Sequence, residues 1–187
     1  LIAEHALRLL PLPSYHVTVW DGVNDGKLAE VAPEWRAAWA RFLQSIPTKT
    51  FPDDLFREVR ASEVLACPDW DLRLRCARIE NWSNVSLVAH LEPVDAAAAE
   101  RLARLRAARD ALSAAFAARF GVRPHPDYVP HVTLGYFANA ELAATSAPAV
   151  ARWNAALREK TAGLVLPLRR VHLSAFTDMT SFGTDSP

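Results

Sequence analysis

The sequence is poor in cysteine, has no excess of either charge and contains no long apolar run. Its two cysteines, Cys67 and Cys76, are too few for a disulfide scaffold and lack the C-x-x-C spacing of a zinc site. We therefore expect two reduced thiols in a cytoplasmic protein. Lysine plus arginine and aspartate plus glutamate are equal at 21 each, so no global field favours nucleic acid or an anionic membrane. Because every apolar stretch is too short to span a bilayer, we expect no membrane partner.

What the chain does contain is enough apolar sequence for one core, because 51% of its 187 residues are hydrophobic. Alternating and β-branched segments predict strands at 15–20, 71–79, 85–91, 131–137 and 164–176. Apolar residues at helical spacing predict helices at 33–46, after Asp53 as cap, from Asp95 to Gly121, and at 139–160 with a break near Pro148. This succession predicts an α+β fold with two similar halves.

The tripeptide His-Val-Thr occurs twice, at 16–18 and 131–133, and opens the first strand of each half. His172 also has a hydroxyl residue two positions later, at Ser174, which shows that the spacing alone is weak evidence. The identical middle residue and the strand context distinguish His16 and His131. Two other histidines, His90 and His125, have no such partner, and we expect structural or surface roles for them.

Residues two apart on a strand share a face, so each of these histidines points to the same side as the threonine that follows it. Two imidazoles with an ordinary pKa near 6.5 can serve as base and acid near neutral pH, one neutral and one protonated. Each threonine hydroxyl can donate a hydrogen bond to a non-bridging phosphate oxygen. This chemistry cleaves a phosphodiester without a metal, and the sequence offers no ligand set typical of one.

The two motifs resemble the signature of the 2H (two-histidine) phosphoesterase superfamily. The segment Pro-His-Val-Thr-Leu at 130–134 is close to its usual second motif, while 14–19 and 176–179 look like a less characterised branch. The resemblance covers nearly the whole chain. It implies one bilobal α+β domain over residues 1–187, with two antiparallel sheets forming a central cleft and helices outside. It also implies that a single cleft floor carries His16, Thr18, His131 and Thr133.

Members of that superfamily act on RNA ends, on 2′,3′-cyclic phosphates and related cyclic nucleotides, or on 2′-5′ linkages. We therefore expect a hydrolase for a cyclic phosphate, or for a 2′-5′ or 3′-5′ diester of a nucleotide or RNA end. It would use no cofactor and no metal and would act as a monomer. One histidine would be the general base on water and the other the general acid, in an order that the sequence leaves open. The short segment before His16 leaves little room for an earlier strand.

Other residues could contact such a substrate. Trp20 and Phe137 lie, by strict alternation, on the faces of His16 and His131 and could stack a base, although core packing is the alternative. Arg73 and Arg75 share one strand face and could reach phosphates, the alternative being a solvated face. A rim of further cations would consist of Lys49, Arg57 and Arg60.

Two other functions remain open at this point. The chain could be a catalytically silent module that binds nucleotides or RNA ends in the same cleft. It could also be a metallohydrolase with His16 and His131 as ligands, which activity in the presence of EDTA would exclude.

Overall fold

Alternating polar and apolar residues build an antiparallel sheet whose strands come from distant parts of the chain. The computed structural model describes residues 2–48, 50–123, 125, 127–161, 163–178 and 181–184, with the side chains of 158 and 181 not described, so Lys49 and Met179 lie outside the described residues. The strands are β1 (Leu7–Leu9), β2 (Leu72–Trp82), β3 (Ser86–Pro93), β4 (His131–Phe137), β5 (Leu166–Leu168), β6 (Ser174–Asp178) and β7 (Ser181–Thr184). The α-helices are α1 (Pro33–Gln44), α2 (Asp53–Ala61), α3 (Glu63–Ala66), α4 (Ala96–Phe120), α5 (Ala140–Ala144) and α6 (Ala147–Lys160).

The chain divides into two compact units. Unit 1 comprises Leu1–Thr18, Leu72–Ala99 and Val129–Pro167, and unit 2 comprises Val19–Asp71, Glu100–Tyr128 and Leu168–Pro187. Five strands form one sheet in the order β1-β4-β3-β2-β5, and β6 pairs with β7 in a second sheet. The predicted α+β class with antiparallel sheets is confirmed at this level.

One face of the five-stranded sheet is covered by helix α6. Alternate residues of β2 and β3, including Ile79, Leu87 and Ala89, are buried together with Val150 of α6. Val132 of β4 packs against the same cluster. We call this side of the sheet the core face and the opposite side the site face.

Two β-bulges change which residues reach the site face. In β2 the register shifts between Cys76 and Arg78, so that Ile79 is buried although uninterrupted alternation would expose it. Against β3 the register of β4 shifts as well, since Val88 pairs with Thr133 but Leu87 pairs with Gly135. An additional residue in one strand reverses the orientation of everything beyond it.

The prediction of a regular strand at 15–20 is wrong, and the reason lies at the edge of β4. Strand β1, for which the sequence seemed to leave little room, pairs with β4 from Leu7 opposite Phe137 to Leu9 opposite Gly135. The chain then forms a 3₁₀ turn at Leu12–Ser14 and pairs with β4 again at an isolated antiparallel bridge, Val17 opposite Val132. Proline residues flank and enter this turn at positions 11 and 13, and because proline has no N–H to donate, the ladder is interrupted there.

Unit 2 is organised around aromatic residues. The indole of Trp39 on α1 meets four phenylalanine rings edge-on, at centroid distances between 5.3 and 5.9 Å, contributed by Phe42, Phe56, Phe116 and Phe120. The apolar residues whose helical spacing predicts α4 form one buried stripe, namely Leu102, Leu105, Leu112, Phe116 and Phe120. The apolar residues that recur at helical spacing in the sequence are therefore those that pack into this aromatic core.

The ends of the helices follow the predicted signals with one exception. Asp95 caps α4 by accepting a hydrogen bond from the N–H of Ala98 at 2.8 Å, and Gly121 ends it with a φ of 80°. Asn139 caps α5 in the same way through the N–H of Leu142 at 2.9 Å. Asp53 does not cap α2, since it is the first residue of that helix and forms an ion pair with Arg60.

The predicted closing strand at 164–176 is divided. Residues 166–168 form β5 and residues 174–178 form β6, with irregular chain between them. Within unit 2 the Arg169 carbonyl accepts a hydrogen bond from the N–H of Trp70 at 2.7 Å, and the Arg170 side chain donates to the carbonyl of Pro68 at 3.1 Å. The chain between β5 and β6 is thus hydrogen-bonded to the loop at residues 68–70.

Candidate active site

The two His-Val-Thr motifs lie side by side in unit 1. Because Val17 and Val132 are antiparallel partners, His16 falls opposite Thr133 and Thr18 falls opposite His131. Val132 points to the core face, so the alternation of side chains directs the flanking residues to the site face. The two histidines are diagonal neighbours, for which the expected separation is about 7–8 Å.

Both imidazoles are oriented by the same hydrogen bond, from Nδ1 to the backbone carbonyl two residues earlier. Nδ1 of His16 lies 2.8 Å from the carbonyl oxygen of Ser14, and Nδ1 of His131 lies 2.8 Å from that of Val129. A carbonyl only accepts, so each Nδ1 carries the proton and donates it. The lone pair of each neutral ring is therefore on Nε2, the nitrogen required for proton transfer.

The motif residues remain accessible in unit 1. His16, His131 and Thr133 are half-buried, and Thr18 is exposed. Tyr15, the residue before His16, donates a hydrogen bond from its hydroxyl to the carbonyl of Leu134 at 3.4 Å.

The bulge in β4 decides which aromatic residue lies on the site face together with Thr133. Strict alternation from His131 would place Phe137 on the site face, but Phe137 packs against the core cluster. Tyr136 takes its place, pairing across the sheet with Ser86. Burial raises the pKa of Tyr136, and the side chain of Thr133 acts in the opposite direction. A bulge of this kind has no signal in the single strand, so sequence reasoning missed Tyr136.

His90, which the sequence suggested for a structural or surface role, lies directly opposite His131 across β3 and β4. It is buried, with 7% of its surface exposed, and Nε2 lies 3.0 Å from a carboxylate oxygen of Glu80 in an arrangement poorly aligned for a hydrogen bond. Burial lowers the pKa of His90, Arg78 and His131 act in the same direction, and Glu80 opposes them. His90 is therefore a neutral imidazole beside His131 near pH 7.

Trp82, at the end of β2, completes this group of rings. Its indole lies 5.5 Å from the His90 ring at an interplanar angle of 21°, and 4.7 Å from the His131 ring at 60°. An open pocket of about 380 Å³ adjoins it in unit 1. The pocket is lined by Trp82, Ser83, Val85, Ser86, Val88 and His131.

The remaining predicted contacts lie elsewhere or are already paired. Trp20 belongs to unit 2, where its ring meets Phe116 at 4.9 Å and its N–H bonds Ser113 at 3.1 Å, consistent with the core-packing alternative. Arg73 and Arg75 are on unit 1 but form exposed ion pairs with Asp95 at 3.5 Å and Glu92 at 2.8 Å. Arg57, Arg60 and the exposed His172 are part of unit 2.

Arg78 brings a cation to the site face beside His90, of which it is the cross-strand partner. Its guanidinium contacts Glu80 at 3.0 Å, so its charge is partly balanced. The bulge before Arg78 sets this pairing, which is why alternation counted from Arg73 and Arg75 did not reveal it.

No cluster of three or more histidine, cysteine, aspartate or glutamate side chains arranged to hold a metal ion occurs among the described residues. Within the same part of the chain, none of the helices combines the length and apolarity that crossing a bilayer requires. Comparison of the chain with protein-family models, with curated proteins and with solved structures finds no match.

Proposed function

We propose that the chain is a metal-independent phosphodiesterase that hydrolyses a cyclic phosphate of the 2′,3′ type, or a 2′-5′ or 3′-5′ diester of a nucleotide or RNA end. The observation that carries this proposal is the bridge between Val17 and Val132. Its register sets each histidine beside the threonine of the other motif, with both Nδ1 atoms bonded alike. A purely structural role for the two histidines would not require the same neighbour and the same hydrogen bond at both positions.

The mechanism follows from the arrangement of these four side chains. A phosphate between the two rings would accept hydrogen bonds from the hydroxyls of Thr18 and Thr133. Nε2 of one neutral histidine takes a proton from the attacking water while the other, protonated histidine gives its proton to the leaving oxygen. Displacement in line needs these two groups on opposite sides of phosphorus, and diagonal positions in a two-stranded register are compatible with this requirement.

The proposal includes membership of a less characterised branch of the 2H phosphoesterase superfamily, and with it the bilobal arrangement of that fold. The supporting features are the two motifs and the antiparallel sheet that carries both of them in unit 1. The catalytic assignment does not depend on the arrangement of the units, because all four motif residues belong to unit 1.

A substrate panel assayed with EDTA present tests the proposal. It contains nucleoside 2′,3′-cyclic phosphates, RNA ending in a cyclic phosphate, and 2′-5′ oligonucleotides, with the products read by phosphorus NMR. We expect at least one cyclic phosphate to open in the presence of EDTA. Activity that EDTA abolishes would favour a metallohydrolase, and binding of a nucleoside 2′-phosphate without any turnover would favour the silent binding module.

A further inference from the structure

The pocket beside His131 has the features of a site for a flat, partly polar ring. At about 380 Å³ it falls within the range of small-molecule pockets. Trp82, Val85 and Val88 give it apolar walls, and Ser83 and Ser86 bring hydroxyl groups. Neither hydroxyl is hydrogen-bonded to another described residue, so both can bond to a ligand.

Trp82 is presented to this pocket in a fixed orientation. The buried ring of His90 lies nearly parallel to the indole, yet 38% of Trp82 remains exposed. Trp82 also ends its strand, pairing with Ser86 just before the turn at Ser83 and Asn84, both of which have positive φ. A large aromatic surface held in place by a buried ring loses little conformational entropy when a ligand stacks on it.

We infer that Trp82 and its pocket bind the nucleobase of the substrate, so that the enzyme prefers a cyclic phosphate that carries a base over one that does not. This inference rests on the proposed function, because the phosphate would occupy the position between His16 and His131. The 4.7 Å contact between the Trp82 and His131 rings puts the stacking surface next to that position. The base-stacking role thus falls to Trp82 rather than to Trp20 or Phe137.

The test compares two substrates that differ only in the base. One is adenosine 2′,3′-cyclic phosphate and the other is methyl ribofuranoside 2,3-cyclic phosphate, and the quantity measured is the ratio of their kcat/KM values. We expect Trp82→Ala to lower this ratio about tenfold or more, and Trp82→Phe to keep most of it, because stacking on an aromatic ring is retained. Trp153→Ala is the matched control, since Trp153 is 49% exposed on α6. It should leave the ratio unchanged. An unchanged ratio in Trp82→Ala would overturn the inference.

A binding measurement separates this inference from the proposed function. Titration of the wild-type chain with adenosine 2′-monophosphate should shift the indole N–H signal of Trp82, identified by its loss in Trp82→Phe, while ribose 5-phosphate should not. A shift of the Trp82 signal in a chain that turns over neither cyclic phosphate would support nucleobase binding in the pocket and reject the phosphodiesterase function. Turnover of both cyclic phosphates with no shift of the Trp82 signal would support the enzyme and reject the pocket.

Discussion

His90 stands directly opposite His131 on neighbouring strands, and the two side chains share the site face of the sheet. A positive charge on His131 works against protonation of His90, as do burial and the nearby Arg78, whereas Glu80 favours it. His90 is therefore harder to protonate than an ordinary histidine.

The pKa of His90 should consequently lie below the ordinary histidine value of about 6.5. We expect His131→Asn to raise it, because one source of positive charge is removed. An NMR titration of the His90 Cε1–H signal, assigned by its absence in His90→Asn, measures both values. A His90 pKa at or above 6.5 in the wild-type chain would contradict the electrostatic account.

The same shift predicts how stability depends on pH. Since His90 is protonated more easily in the unfolded chain than in the folded one, the free energy of unfolding falls as pH drops through the window below about 6.5. His90→Asn should reduce this fall, whatever its effect on stability at pH 7. Urea denaturation at pH 7 and pH 5 measures how much the free energy of unfolding falls in the wild-type chain and in His90→Asn. An equal fall in the two chains would show that His90 does not contribute to the pH dependence.

Loss of either motif histidine should impair catalysis strongly. We expect His16→Ala and His131→Ala each to lower kcat/KM by roughly 10²–10⁴, because each removes one of two proton transfers. The double variant should lose less than the product of the single losses, since the pair acts as a unit. His172→Ala is the control, because His172 has the same spacing to a hydroxyl residue but lies in unit 2. Full activity in either single variant would end the assignment.

The pH profile gives a separate test of the two-histidine mechanism. One ring must be neutral and the other protonated, so kcat/KM should pass through a maximum and fall on both sides. Each single alanine variant should lose one limb of this profile in its residual activity. A profile with a single limb in the wild-type enzyme would contradict paired acid and base catalysis.

The motif threonines should matter for their hydroxyl groups. Thr133→Val and Thr18→Val preserve shape but remove a donor to the charged phosphate, which is worth about 1.5–3 kcal/mol, or roughly tenfold or more in kcat/KM. Thr177→Val on the exposed surface of β6 is the control. The free energy of unfolding should be measured in parallel. If Thr133→Val lowered stability but left kcat/KM unchanged, Thr133 would have a structural role.

Gly135 permits the close approach of β1 to β4. A Cβ atom at this position would collide with the carbonyl oxygen of Arg8 and lie 2.9 Å from Cα of Leu9. We expect Gly135→Ala to lower the free energy of unfolding by about 1–3 kcal/mol, since backbone must move to accommodate the methyl group. Gly26→Ala is the control, because there the nearest atom is a side-chain oxygen of Asn24 at 3.3 Å. Equal urea midpoints for the two variants would rule out this packing constraint.

Phe137 and Tyr136 show where reading the sequence stops being sufficient. Their order along the chain is compatible with either residue on the site face, and counting by twos from His131 selects Phe137. The register against β3, where Leu87 pairs with Gly135 and Val88 with Thr133, selects Tyr136. A bulge is stabilised by hydrogen bonds to a neighbouring strand, so no local pattern within β4 could have revealed it.

The N-terminal motif illustrates the same limit for backbone structure. Its β-branched residues favour a strand, but the edge of β4 is shared between β1 and the bridge at Val17, with a proline-containing turn between them. That His16 and Thr18 share one side stays a prediction, because residues two apart share a side where the chain is extended.

Local patterns were sufficient to identify the α+β class and the buried stripe of α4 with both its ends, since periodicity and capping act over a few residues. Pairing between distant strands decided everything that depends on register. It brought His16 beside Thr133, set His90 opposite His131, packed Phe137 against the core and left Trp82 beside an open pocket, because a one-residue shift between strands exchanges the two faces of a sheet.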